Sequence, residues 1–342
     1  MSQTIYRIDP NADTVIVLTN PLVEFAVWNP QEAEVNIEEP DEPPPDEPAD
    51  DEGEPIDEEI LYFVSSRHLA LASSWFAKVF DGDNWRESLR DGTDGLFHVN
   101  VEGWDVHALL YLLNILHHRN REVPRQITLE MFAKVAVLVD YYECAEAIEM
   151  YAERWTEYLE KASPIPKIFD RNLMLWLCIA WVCKLPDQFR RATEVAIRRA
   201  DQELKTLGLP VTRCADNIEL ARQQAIDLVL TKLHDLRQSY RDSGYKCITS
   251  SEDSFLCGSM LYGALTKELD RMGLLPRPAK PFPDLNLWEL QSKVKGIACT
   301  DWSRPYRHYT HQMCDLNTKV GEIVDNAIVN ARGLDLKDFQ SN

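Results

Sequence analysis

The sequence predicts an α+β fold, with a small sheet capped by helices in the N-terminal part and an all-helical C-terminal region. Three observations lead to this prediction. Short apolar runs of the strand type end before residue 105. Apolar residues at three- and four-residue steps dominate after that point, which is typical of helices. Pro164 and Pro166 separate the two parts, so the predicted ranges are 1–160 and 165–342.

Four segments have the pattern of strands. The first is the β-branched, apolar run over residues 13–18. Alternating apolar residues over 23–27 indicate a second strand. An apolar run over 60–64 indicates a third, and alternation over 97–101 indicates a fourth half-buried strand.

The helices follow from apolar spacing and from start signals. A single apolar face over residues 69–80 predicts a helical hairpin packed on the sheet, and Ser65 or Ser66 is suited to cap its start. Asp216 and Glu219 have the spacing of a capping box, which predicts a helix start at residue 217. The predicted helices lie at 105–119, 128–143, 145–161, 170–184, 187–206, 217–242, 254–273, 286–297 and 311–332.

Residues 31–58 are mostly Glu, Asp and Pro. Residues 31–60 hold 15 carboxylates and no Lys or Arg, so the rest of the chain carries −5 of the net charge of −20. Such a segment has too few apolar side chains to offset its ordering entropy, and its charges repel one another. We therefore predict a disordered acidic insertion, with attraction of a basic partner as the alternative.

Composition limits the classes of partner. The pI of about 4.8 and the lack of a basic stripe argue against nucleic-acid binding. The N-terminus lacks the layout of a secretory signal, and the apolar run at 173–183 is too short to cross a bilayer, so we expect no membrane partner. Eight scattered cysteines then indicate reduced thiols and a cytoplasmic or nuclear location.

The N-terminal part resembles a BTB/POZ domain of the fungal type over about residues 5–160. Asp13 opens the first strand, and Leu69, Ser73 and Phe76 fill the hairpin pattern L-x-x-x-S-x-x-F. The chain has Ser65 where many animal members have a histidine that fungal-type members commonly lack. The most specific blocks are VSSRHL, LLNILHHRN and VPRQITLEMFAKVAVLVDYY.

The resemblance implies a non-enzymatic protein–protein interaction module without a cofactor. Such domains commonly self-associate through the first helix and a neighbouring strand, which implies a homodimer. Some recruit a cullin scaffold, so a substrate adaptor of a cullin-type ubiquitin ligase is the alternative. Self-association needs exposed apolar side chains, for which Tyr6, Leu69 and Trp75 are the predicted residues.

A metal-dependent enzyme is a third hypothesis. His308, His311 and Cys314 follow one another at three-residue steps, and Cys299 precedes them. Their spacing matches no common zinc finger or ribbon, so the sequence favours no metal site. It also contains no nucleophile elbow, phosphate-binding glycine loop or H-E-x-x-H motif. We therefore predict no catalytic residues.

Overall fold

The computed structural model describes residues 4–28, 59–81, 89–297 and 314–339. Within these residues the protein is a mixed α+β structure with a four-stranded sheet and eleven α-helices, which confirms the predicted class. The predicted acidic insertion at 31–58 lies outside the described residues. No helix in the described residues is both long and apolar enough to cross a membrane.

The sheet is small and mixed. Its strands are β1 (Thr4–Arg7), β2 (Thr14–Thr19), β3 (Ile60–Val64) and β4 (Phe97–Glu102), in the spatial order β1-β3-β2-β4. β2 runs antiparallel to β3, with Leu18 opposite Ile60, and parallel to β4. β1, which the sequence patterns did not predict, pairs parallel with β3.

The described helices follow the predicted series, with different bounds at several ends. They are α1 (Ser66–Ala72), α2 (Ser74–Phe80), α3 (Val106–Leu116), α4 (Leu129–Tyr141), α5 (Glu149–Ala162), α6 (Arg171–Val182), α7 (Pro186–Arg199), α8 (Thr212–Arg241), α9 (Ser254–Arg271), α10 (Leu287–Lys295) and α11 (Leu316–Asn330). The last predicted helix, 311–332, begins outside the described residues.

The chain divides into two compact units. The first comprises Met1–Pro164, Asp170–Leu185 and Leu207–Pro210, and the second comprises Ile165–Phe169, Pro186–Thr206 and Val211–Asn342. The first unit holds the sheet and α1–α6, and the second holds α7–α11. Helix α6, in the range predicted for the C-terminal region, packs on α4 of the first unit.

Asp13 joins three elements of the first unit. One carboxylate oxygen accepts a hydrogen bond from the Ser66 backbone N–H at 2.7 Å, and the other accepts one from the Ser66 hydroxyl at 2.6 Å. The Asp13 carbonyl accepts a bond from the Phe97 N–H at 2.9 Å, at the start of β4. The expected cap from Ser65 or Ser66 is therefore wrong, because Asp13 supplies the acceptor for the start of α1.

The predicted strand at 23–27 is wrong, because this segment is irregular. Ala26 has a positive φ of 46°, which an extended strand does not allow. Its carbonyl accepts a bond from Arg171 Nε at 2.9 Å, and the Phe25 carbonyl accepts one from Arg171 Nη2 at 2.8 Å. The Arg171 guanidinium therefore bonds the two carbonyls that a neighbouring strand would bond in a sheet.

The predicted helix start at residue 217 is also wrong, since α8 begins at Thr212. Glu219 is not part of a capping box. Its carboxylate instead pairs with the buried Arg222 guanidinium, at 2.7 Å between Oε1 and Nη2. Arg222 also donates to the Pro281 carbonyl at 2.6 Å, so the pair holds the loop before α10 against α8.

His117 links the end of α3 to the start of α1. Its Nε2 accepts a bond from the Ser65 N–H at 2.9 Å, and its Nδ1 donates to the Leu113 carbonyl at 2.8 Å. The His68 ring stacks on it, with centroids 5.1 Å apart. Burial lowers the pKa of His117 below its usual value, and the nearby His68 lowers it further. Only the neutral ring can accept the Ser65 bond.

We expect Asp13→Asn to lower the free energy of unfolding by about 1–3 kcal/mol, because an amide has one acceptor oxygen for the two Ser66 donors. Burial raises the pKa of Asp13, but the Ser66 hydrogen bonds outweigh it and hold the pKa below its usual value. The stabilisation is therefore present above pH about 4 and is lost as the pH falls towards the folded pKa. Urea unfolding of the wild type, Asp13→Asn and the exposed control Glu102→Gln measures it. Equal losses in both variants would contradict the role of Asp13.

We expect His117 to make the free energy of unfolding depend on pH in a higher pH range than Asp13 does. Because its folded pKa is lowered, the unfolded chain binds a proton first as the pH falls below about 6.5, so stability decreases there. The decrease ends once the pH passes the folded pKa. Melting temperatures between pH 8 and 5 should change less for His117→Gln than for the wild type or His98→Gln, whose ring bonds to Asp94 on the surface. Parallel profiles for all three proteins would refute this role of His117.

Candidate protein interface

The three predicted interface residues lie in different environments. Tyr6 is half-buried on β1 and stacks on Tyr62, with ring centroids 5.2 Å apart. Trp75 is half-buried on α2 and meets the Tyr142 ring edge to face at 5.2 Å. Leu69 is fully buried on α1, so it is part of the core and does not contribute to an exposed surface.

Helix α1 exposes a different leucine. Leu71 is 85% exposed, although it lies two residues from the fully buried Leu69. Residues two apart on a helix are separated by about 200°, so one faces the core when the other faces solvent. This relation could have distinguished the two leucines from sequence alone, once one of them was assigned to the core.

Strand β1 forms one edge of the sheet. It pairs only with β3, so one side of its backbone has no strand partner among the described residues. Ile5 on this strand is 48% exposed. Arg7 is also exposed, and its guanidinium lies 4.5 Å from the centroid of the Phe63 ring. The exposed isoleucine offers an apolar contact for another chain. The charged arginine on the same edge disfavours non-specific pairing of the strand with other strands.

Aromatic side chains form a second surface near the end of α4. Tyr141 is 50% exposed and meets Trp104 at 5.1 Å and Tyr142 at 5.0 Å between ring centroids. Trp75 contacts both tyrosines. Tyr142 itself is fully buried and does not add to the exposed surface; its burial raises its pKa, so its hydroxyl stays protonated at neutral pH. Aromatic residues of this kind are enriched in protein interfaces.

Paired charges connect three helices of the first unit. Lys134 Nζ lies 2.9 Å from Asp105 and 3.1 Å from Glu130, and Arg171 lies 2.8 Å from Glu130. Burial lowers the pKa of Lys134, but its two carboxylate partners outweigh this and raise it overall. These charges connect α3, α4 and α6, and they have the character of a structural network.

The predicted metal ligands are only partly described. Cys299, His308 and His311 lie outside the described residues. Cys314 is buried and lies beside Cys247 and Cys257, which the sequence analysis did not group with it. The three cysteines are 10 and 57 residues apart along the chain, so no local spacing signalled their proximity.

We expect the two leucines of α1 to respond oppositely to truncation. Leu69→Ala should lower the free energy of unfolding by about 2–5 kcal/mol, because it leaves a cavity in the core. Leu71→Ala should change it by no more than about 0.5 kcal/mol, because the side chain is exposed. Chemical denaturation at low protein concentration measures both. A large loss for Leu71→Ala would mean that this side chain is buried within the monomer.

Comparison with family models, curated proteins and solved structures gave no match for this chain. Its function is therefore inferred from the described residues and their contacts.

Proposed function

We propose that this protein is a non-enzymatic protein–protein interaction module whose BTB/POZ-like N-terminal part self-associates as a homodimer. The observation that carries the proposal is the exposure of Leu71 on the first helix and of Ile5 on the edge strand. These are the kinds of element through which the resembled family commonly associates. The mixed α+β architecture of the described residues agrees with this proposal.

The energetic reason lies in the apolar side chains. Burying a leucine or isoleucine that is otherwise exposed contributes about 1.5–3 kcal/mol. A two-fold interface uses the same surface of both copies, so each such residue is buried once in each copy, that is, two times per dimer. Leu71 and Ile5 would thus supply four apolar side chains to a dimer, and Arg7 would lie at the polar rim.

Three further cysteines of the described residues give little support to nucleophilic chemistry. Burial raises the pKa of the Cys144, Cys183 and Cys214 thiols to about 12. A thiol with so high a pKa is protonated at neutral pH, and the thiolate is the reactive form. Cys144 and Cys214 are buried core side chains, and Cys183 is half-buried.

We expect the full-length protein to be dimeric at micromolar concentration and Leu71→Glu to be monomeric, because each copy would bury an unpaired carboxylate. Light scattering behind a sizing column measures the mass at several concentrations. Leu220→Glu is the matched control, since Leu220 is 54% exposed on α8 and its substitution should leave the dimer intact. Equal melting temperatures would show that both variants are folded.

A wild-type protein that is monomeric at every concentration would refute the homodimer. Dissociation by Leu220→Glu but not by Leu71→Glu would place the interface on the second unit instead of on α1.

A further inference from the structure

Three cysteines of the second unit converge on one point. The sulfur atoms of Cys247, Cys257 and Cys314 all lie within 4.8 Å of one another, and those of Cys247 and Cys314 are 3.5 Å apart. All three residues are buried, with exposed fractions of 6%, 0% and 3%. Within the described residues, this is the one group of three or more His, Cys, Asp or Glu side chains close enough to share a metal ion.

The backbone around the cluster holds the sulfurs in place. Cys257 lies near the start of α9, and the Cys247 N–H donates to the Ser254 hydroxyl of the same helix end at 3.0 Å. Gly258 allows the Tyr245 ring to pack closely, because a Cβ atom there would lie 2.9 Å from that ring. The segment after α8 is thus fixed against α9 from two sides.

The third cysteine comes from the chain just before α11. Cys314 precedes Asp315, whose carboxylate caps α11 by accepting from the Asn317 and Thr318 backbone N–H groups. The Thr249 hydroxyl oxygen lies 3.6 Å from Cys314 Sγ. The Tyr245 hydroxyl oxygen lies 3.6 Å from Cys257 Sγ, so oxygen donors flank the sulfur cluster.

We propose that Cys247, Cys257 and Cys314 bind a structural zinc ion. Ligands about 2.3 Å from a tetrahedral zinc lie about 3.8 Å from one another, so the sulfurs need to move by only a fraction of an ångström to about one ångström. Thiolates are soft ligands that select zinc or copper(I). The flanking hydroxyl groups favour zinc, which accepts oxygen as well as sulfur, and a fourth donor would complete the closed, tetrahedral coordination of a structural site.

Binding requires the thiols to lose their protons. Burial raises the pKa of the Cys257 thiol, so without a metal this group is protonated at neutral pH. When Zn²⁺ replaces the three thiol protons, three H⁺ are released and the complex of three thiolates carries a net charge of −1. The position of Cys257 near the N-terminal end of α9 favours its thiolate, because the helix dipole is positive there.

The geometry has two competing explanations. A disulfide between Cys247 and Cys314 would require their sulfurs to approach from 3.5 Å to about 2.05 Å, and Cys257 would then have no role. Alternatively, all three thiols are ordinary core side chains, as free cysteines often are. Neither explanation predicts that the protein retains a metal.

The first test is the metal content of the full-length protein, purified under reducing conditions without added metal. We expect roughly one zinc per chain in the wild type and less than roughly a tenth of that in Cys257→Ser. Cys214→Ser is the matched control, because Cys214 is equally buried in the same unit but bonds to the Val211 carbonyl. It should retain the zinc of the wild type.

The second test uses the wild type alone and does not depend on whether a variant folds. Cobalt(II) added to chelator-treated protein should produce thiolate-to-cobalt charge-transfer bands, which zinc then abolishes. A wild type with neither zinc nor such bands would overturn the proposal. Zinc retained in Cys257→Ser, copper in place of zinc, or a mass lower by two hydrogens from a Cys247–Cys314 disulfide would overturn it as well.

Discussion

The first unit depends on the hydrogen bonds of Asp13. Its carboxylate receives the first backbone N–H of α1, and its carbonyl receives the first N–H of β4. The starts of β2, α1 and β4, which are distant in sequence, therefore all lie beside Asp13. Because β2 follows directly, the position of Asp13 also fixes where the β2–β3 ladder starts, with Thr14 opposite Val64. Asp13 thereby anchors the start of α1, the helix that exposes Leu71.

The second unit uses a buried charge in a comparable way. Arg222 is 1% exposed, and its guanidinium bonds to Glu219 and to the carbonyls of Pro281 and Leu285. Removing one partner of a buried ion pair usually costs about 3–5 kcal/mol, because the other charge stays buried without compensation. The proposed zinc ion would add a second fixed point, joining the segments before α9 and α11. The Arg222–Glu219 ion pair and the proposed zinc ion would thus stabilise different loops of the second unit.

The sequence predicted the elements whose signal is local. The strands at 14–19, 60–64 and 97–102 and most helices follow from apolar periodicity, which depends on neighbouring residues. Strand β1 was missed because four residues with two apolar side chains give too short a pattern. The segment at 23–27 alternates like a strand, but Arg171 satisfies its carbonyls from a distant helix.

The candidate sites also depend on tertiary contacts that local sequence patterns do not contain. Periodicity places Leu69 and Leu71 on opposite faces of α1, but which of the two faces meets the core depends on how α1 packs. The cysteine cluster is a tertiary feature, since its members come from a loop, a helix start and a segment 57 residues further on. A sequence motif for metal binding needs ligands at short, fixed spacing, which this cluster lacks.

The pairing of Leu18 with Ile60 brings together two points that are 42 residues apart along the chain. The end of β2 and the start of β3 therefore lie side by side within the first unit. Each doubling of the length of a connection between two such points costs only about 0.6 kcal/mol of additional loop-closure free energy. This position is therefore suited to changes of length, to an inserted tag, or to new chain termini in a circular permutant, with the β2–β3 ladder holding both sides of the opening together.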